Sequence, residues 1–301
     1  MTDFTEGRPT LAEYPFAPHF FRRRDGQALH YLDEGQGPPV IMVHGNPTWS
    51  FFWRRLVAGL SANFRCLAPD HLGMGWSSRP AAGAYGFTLA DRAADLTALA
   101  DHWQLGRPAH LVAHDWGGPI GLAWATAHPD RVASLTIMNS ATRPPGGYRL
   151  PLRLALFQRC RPLNSFLSGR LNLFVRGTAA CGVTSPLSPA ARAGFLAPYA
   201  QPEDRLAVAR FVEDIPLNPG HPSYETLAGI DHRLDAQPWP LLLIWGLRDF
   251  VFNRAVFLDW RRRFPRAQAL VLPEAGHYLL EDEPERALAR VRAFIEGVEK
   301  D

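Results

Sequence analysis

The stretch PAHLVAHDWGGPIGLAWATAH (108–128) constrains the fold more than any other part of this chain. Its first half, HLVAHD, is apolar enough to form a strand buried on both faces, and its second half, PIGLAWATAH, reads as a helix. One polar residue, Asp115, stands between them among small residues at a sharp strand-to-helix turn. A turn of this kind lifts one side chain above the edge of a sheet, where a ligand can reach it. Taken alone, Asp115 reads equally well as a helix N-cap, a position that favours Asp.

Strand-like runs recur along the chain: HYLDEG (30–35), PVIMVHG (39–45), FRCLAPD (64–70), HLVAHD (110–115), SLTIMNS (134–140), LLLIWG (241–246) and QALVLPE (268–274). Among them lie SFFWRRLVAGLSA, TLADRAADLTALADHWQ and, at the end, PERALARVRAFIEGV, with apolar positions at three- and four-residue spacing. This alternation predicts an α/β fold built on a mostly parallel, doubly wound sheet. Ligands of such sheets bind at the carboxyl ends of the strands.

The alternation stops between about 142 and 238. That stretch holds the helical pieces LRLALFQRC, SFLSGRLNLFVRG and PEDRLAVARFVEDI and many prolines, with few strand signals. It reads as a helical cap inserted over the carboxyl edge of the sheet. The expected organisation is a core in two parts, 1–141 and 239–301, with the cap and its return at 142–238. No Asp or Glu occurs between Asp130 and Glu203, whereas Arg131, Arg143, Arg149, Arg153, Arg159, Arg161, Arg170, Arg176 and Arg192 do. Lys300 is the only lysine, so coding bias explains arginine over lysine. It does not explain the missing acids.

Composition bounds the partners. The 301 residues carry a formal net charge of +3, too little for charge alone to argue nucleic-acid binding. Three cysteines, Cys66, Cys160 and Cys181, are few and far apart, which argues against a disulfide framework and fits a reducing cytoplasm. The N-terminus MTDFTEGRPTLAEYPF lacks the apolar region of a signal peptide. No apolar run approaches bilayer-spanning length. The expected location is cytoplasmic, with peripheral membrane contact left open.

Two further residues join Asp115. His277 lies in PEAGHYLLEDEPE, in the loop after the QALVLPE strand, and Asp249 lies just past the LLLIWG strand. Singly, they read as a surface-loop histidine and a turn aspartate. Together with Asp115 they give the order nucleophile, acid, histidine at three strand ends, which is the chain order of α/β-hydrolases. HGNPTW (44–49) follows an early strand, where such folds supply one oxyanion-hole N–H, the other coming from the residue after the nucleophile. The donors are then the backbones of Asn46 and Trp116, whose side chains also carry N–H groups. A turn before Pro47 and simple core packing are the plainer readings of these two.

A carboxylate nucleophile changes the chemistry. Serine attacks a carbonyl, whereas a carboxylate can displace a leaving group at saturated carbon and form an alkyl ester. Water activated by His277 then attacks the ester carbonyl of Asp115. The Asn46 and Trp116 donors stabilise charge on the departing group. No metal and no cofactor is expected.

HGNPTWSFFWR, DHLGMGWSSRP, HDWGG, IWGLRD and AGHYLLED resemble the haloalkane dehalogenase branch of the α/β-hydrolases. The resemblance implies a nucleophile at Asp115, a base at His277 and a leaving-group clamp of Asn46 and Trp116. Some members place the acid after the strand that here ends IMNS, but this chain has Asn139 there, so Asp249 is the expected acid. HGNPTWSFFWR, VEDIPLNP, IWGLRDFVF and AGHYLLEDEPE resemble one group more closely, the β-lactone decarboxylases of bacterial long-chain olefin biosynthesis. These convert cis-3,4-dialkyl β-lactones to cis-olefins and carbon dioxide. The resemblance implies a small apolar substrate and a membrane-associated assembly with the other olefin-forming enzymes.

Alternatives stay open at this point. Haloalkane dehalogenase is second, because the clamp suits halide equally. Epoxide hydrolase is third and needs cap tyrosines, for which Tyr148 and Tyr199 are available. A defluorinase needs an arginine beside the nucleophile, where Trp116 stands. A non-catalytic ligand-binding module goes with a broken triad, and this one is intact. For a long-chain substrate, apolar walls are expected from Leu150, Leu152, Leu154, Leu156, Phe157, Phe166, Leu171, Leu173 and Phe174.

Overall fold

The computed structural model describes residues 9–143 and 151–300. Its centre is an eight-stranded sheet: β1 (His19–Arg22), β2 (Ala28–Glu34), β3 (Pro39–Val43), β4 (Arg65–Pro69), β5 (Ala109–His114), β6 (Val132–Met138), β7 (Leu241–Gly246) and β8 (Gln268–Leu272). The spatial order is β1-β2-β4-β3-β5-β6-β7-β8. β1 and β2 pair antiparallel, as do β2 and β4, and every other pairing is parallel. The mostly parallel, doubly wound sheet expected from the sequence is therefore present. β3 and β5 are fully buried along their length, which is why they read as continuous apolar runs.

The strand absent from the sequence reading is β1. Its four residues HFFR are half-buried to exposed and sit at the sheet edge, so neither a buried run nor clean alternation marks them.

The core helices are α1 (Arg54–Leu60), α2 (Leu89–His102) and α3 (Gly117–Ala127). α2 opens on a capping box in which Thr88 accepts from the Asp91 N–H and Asp91 accepts from the Thr88 N–H. α3 is buried nearly throughout and starts hard against the sheet: a Cβ on Gly117 would collide with the Val43 carbonyl, and one on Gly118 with the Ser140 hydroxyl. Between β6 and β7 follow α4 (Leu152–Arg159), α5 (Arg161–Asn164), α6 (Leu173–Cys181), α7 (Pro189–Leu196), α8 (Leu206–Glu213) and α9 (Tyr224–Leu234). SFLSGRLNLFVRG, read as one helical piece, is two: a π-helical turn at Ser165–Arg170 and then α6, parted at Asn172, whose φ is +54°. The chain closes with α10 (Arg254–Arg263), α11 (Leu279–Asp282) and α12 (Pro284–Val298).

The topology fixes where a site can form. From β3 the chain steps to β4 on one side, and then β5, β6, β7 and β8 step away on the other. The reversal leaves a crevice beyond the carboxyl ends of β3 and β5. Register keeps these ends level, with Val43 opposite Ala113 and His114 opposite Met138.

Candidate active site

The crevice is occupied by side chains that leave the carboxyl ends of β3, β5 and β7 and the loop after β8. Asp115 follows β5 directly, at φ +52°. That left-handed geometry is strained for a residue with a Cβ and turns its carboxylate away from the sheet into the crevice. Asp115 Oδ1 accepts the Asn46 backbone N–H at 2.7 Å. The Trp116 backbone N–H also reaches the carboxylate. The two backbone donors expected from the sequence thus converge on Asp115.

His277, in the loop between β8 and α11, points Nε2 toward Asp115 Oδ2 at 3.9 Å. Its Nδ1 lies 2.8 Å from Asp249 Oδ2. Asp249 is itself gripped: Oδ1 accepts the backbone N–H groups of Val251 at 2.6 Å and Phe252 at 3.1 Å. Asn139 donates Nδ2 to Asp249 Oδ2 at 2.8 Å and to the Gly246 carbonyl at 3.0 Å, while its Oδ1 accepts the Gly246 N–H at 2.8 Å. Asn139 therefore ties the end of β6 to the end of β7 and aims the acid. Sequence reasoning noted Asn139 only as a missing acid; its place at the end of β6 was the available signal.

All three groups are buried, and burial acts on the titration of Asp115 and His277. Desolvation raises the Asp115 pKa above the ordinary carboxylate value, held back by His277 and the Trp116 and Asn46 N–H groups. For His277, burial works to lower the pKa, but the facing Asp249 and Asp115 carboxylates outweigh it and leave the imidazole raised.

The two residues expected to form a clamp differ. The Asn46 side-chain Nδ2 donates to the Val208 carbonyl at 3.1 Å, which ties it to α8 and leaves its second hydrogen for the crevice. Trp116 packs its ring against Phe211 at 5.7 Å, and its indole N–H makes no hydrogen bond to a described residue. Beneath this pair lies a buried guanidinium: Arg92 sits 3.6 Å over the Phe211 ring and pairs with Asp214 at 3.0 Å.

Above the site is a cavity of about 850 Å³. Asn46, Asp115, Trp116 and His277 form its floor; Leu152, Leu154, Phe157, Leu173 and Phe174 are among the cap residues on its walls. Phe250, Val251 and Phe252 close the side next to His277. Of the expected wall residues, Leu156, Phe166 and Leu171 do not line the cavity and are instead exposed. Leu150 lies outside the described residues. So do Tyr148 and Arg149. Tyr199 is fully buried against the Thr48 carbonyl and the Met74 sulfur, away from the cavity, and is no partner for an epoxide. The three cysteines are unpaired.

Residues 38–284 match the α/β-hydrolase fold family. The chain is 39% identical to a cis-3-alkyl-4-alkyloxetan-2-one decarboxylase of Shewanella oneidensis, over 95% of this chain and 90% of that protein. It is 33% identical to haloalkane dehalogenase 2 of Mycobacterium bovis, over 96% of this chain and 97% of that protein. Among solved structures, a haloalkane dehalogenase from Bradyrhizobium elkani superposes with a TM-score of 0.85 at 26% identity, over 95% of this chain and 99% of that one. The chain is an enzyme of the α/β-hydrolase fold family, in the branch that contains both oxetanone decarboxylases and haloalkane dehalogenases.

Proposed function

We propose that this enzyme is a cis-3-alkyl-4-alkyloxetan-2-one decarboxylase, which converts a dialkyl β-lactone to a cis-olefin and carbon dioxide. The observation that carries the reading is a buried carboxylate, Asp115, at the floor of a large, mainly apolar cavity. A volume of about 850 Å³ lies toward the upper end of ligand pockets, roughly 300–1,000 Å³. It suits two alkyl chains better than a small halide-bearing molecule. The similarity to the Shewanella protein over nearly the whole chain supports it.

The residue roles are part of the proposal. Asp115 Oδ2 attacks the saturated ring carbon bonded to the ring oxygen, not the carbonyl carbon. That C–O bond breaks, and the carboxylate so released is held by the side-chain N–H groups of Asn46 and Trp116. The bond from the adjacent carbon to this carboxylate then breaks, carbon dioxide leaves, and the electron pair forms the C=C bond. The ester bond to Asp115 breaks in the same step and returns the free carboxylate. Backside attack inverts the ring carbon, and anti elimination then restores the cis arrangement. No water is consumed. His277, held by Asp249, steadies the returning Asp115 carboxylate when protonated.

In the proposed division, residues 1–141 and 239–301 form the core that carries the triad, and 142–238 form the cap that covers it. A small apolar substrate fits the relatives' chemistry. Peripheral seating near a membrane, in an assembly with enzymes that supply the lactone, belongs to the same proposal.

Haloalkane dehalogenase is the second reading, because the clamp accepts halide and the Mycobacterium protein is a full-length relative. Gas chromatography of products from a cis-β-lactone, a bromoalkane and an epoxide separates the readings. Olefin from the lactone at far higher kcat/KM than bromide release supports the decarboxylase. Dominant bromide release, with the lactone intact or opened only to a hydroxy acid, replaces it with the dehalogenase.

A further inference from the structure

The layer beneath Trp116 and Phe211 holds a charge that the proposed reaction does not use. Arg92 projects from α2 and is 1% exposed. Its guanidinium lies 3.6 Å from the centre of the Phe211 ring and 6.0 Å from that of Trp116. Nη1 pairs with Asp214 at 3.0 Å, but Nε and Nη2 are buried and donate to no described residue. A buried guanidinium with unused donors opposes folding. An apolar side chain would join α2 to the cap without that cost, so packing alone does not account for the charge.

The cation lies against the two rings, whereas its acid is held from elsewhere. Asp214 Oδ1 accepts the Ser223 hydroxyl at 2.5 Å, and Ser223 Oγ in turn accepts the Leu89 N–H at 3.1 Å. His71, 5.6 Å from the Phe211 ring, adds no charge, because burial and then His44 push its pKa well below the ordinary histidine value. Burial lowers the Arg92 pKa too, but a guanidinium stays charged at neutral pH. Of Arg92, Phe211 and Trp116, only Trp116 lines the cavity. A positive charge in an apolar layer is poorly screened, so it raises the potential at the floor above it and polarises the ring between.

We propose that Arg92, acting through Trp116 and without touching substrate, makes the cavity floor selective for an anionic group over a neutral one of the same shape. In the lactone reaction that anion is the carboxylate released when the ring C–O bond breaks; in dehalogenation it is halide. The inference rests on the reading of Asn46 and Trp116 as anion donors, and not on which of the two reactions is run.

Octanoate and octanamide share an apolar tail and differ in the charge of the head group. The test is isothermal titration calorimetry of both with the full chain in the D115N background, where a neutral side chain stands in for the esterified nucleophile. D115N/D214N keeps the cation and D115N/R92M/D214N removes it, and neither strands a buried acid. From the first to the second, the octanoate Kd is expected to rise by about tenfold, the scale of one charge acting across roughly 10 Å at an effective dielectric of about 20. The octanamide Kd is expected to stay within about twofold, since the same apolar area is buried. A merely structural role moves both ligands together or, in variants that Tm shows to be folded, neither; either outcome overturns the proposal, as does a D115N enzyme that binds octanoate no better than octanamide. D115N/R92K keeps the charge and is expected to hold octanoate within about threefold of D115N; a loss as large as that of D115N/R92M/D214N overturns the proposal as well. Octanoate selectivity that depends on Arg92, with no olefin formed from the lactone by the wild-type enzyme, removes the lactone reading alone. Olefin formation without that selectivity removes this role of Arg92 alone.

Discussion

Asn139 donates to the same oxygen of Asp249, Oδ2, that faces His277 Nδ1, each at 2.8 Å. An amide from β6 and an imidazole from the β8 loop thus share one acceptor. Asp249→Asn replaces that acceptor with a group that holds the imidazole in the wrong tautomer. Bromoalkane hydrolysis is expected to fall by about 10⁴-fold. Asn139→Ala leaves Asp249 its two backbone donors and is expected to cost less. Steady-state bromide release measures both; a silent Asp249→Asn would mean another acid serves His277.

Asp115→Asn is expected to reduce turnover of any substrate by roughly 10⁴-fold or more. It is also expected to raise Tm at pH 7. Burial raises the Asp115 pKa, so the folded state prefers the neutral carboxyl and ionisation there opposes folding. The contribution is unfavourable above the folded pKa and fades as pH falls below it. Calorimetry at pH 7 should place Asp115→Asn at or above wild type.

The two candidate reactions should differ in pH dependence. Decarboxylation requires ionised Asp115 and no general base, so kcat/KM for the lactone should fall only as pH drops through the Asp115 pKa, raised above 3.8. Bromoalkane hydrolysis also requires neutral His277. Its kcat should already fall as pH drops through the His277 pKa, raised above 6.5. Parallel profiles for the two substrates would show that both need His277 in one protonation state.

Trp116→Phe keeps a ring against Phe211 and removes only the indole N–H. Asn46→Ala removes the other side-chain donor. Each is expected to lower kcat by about 10²-fold for leaving groups that carry full negative charge. Stopped-flow kinetics should show the loss in the first step, formation of the ester, and not in its breakdown.

Arg92→Met tests the support beneath Trp116 and Phe211. It leaves Asp214 buried and without its cation, 6% exposed at the side chain. Breaking such a pair costs about 3–5 kcal/mol, which thermal unfolding should report as a large fall in Tm.

The positions of the polar residues in the crevice were more legible in the sequence than the walls around them. Asp115, His277 and Asp249 follow apolar strands, and a strand buried on both faces leaves an unmistakable run. The final helix was read at 284–298, where α12 lies, because its apolar stripe faces the sheet. Cap residues gave weaker signals. Leu156 and Phe166 are as apolar as Leu154 and Phe157, yet they turn to solvent. The break at Asn172 depends on one left-handed residue that no periodicity announces. The role of Asn139 was hidden for another reason: its hydrogen bonds reach residues more than a hundred positions away.

The two oxygens of Asp115 are not equivalent. Oδ1 is pinned by the Asn46 N–H, and Oδ2 faces His277 and the cavity. Only Oδ2 is placed to bond to a substrate, so only that oxygen leaves with an alcohol when a water-derived atom replaces it. An enzyme run for many cycles of hydrolysis in ¹⁸O-water should therefore carry one heavy oxygen in the Asp115 peptide and never two. The same enzyme run on a lactone, with no water in the cycle, should carry none. The nucleophile thus keeps an isotopic record of the reaction it has performed, and mass spectrometry of one peptide reads it.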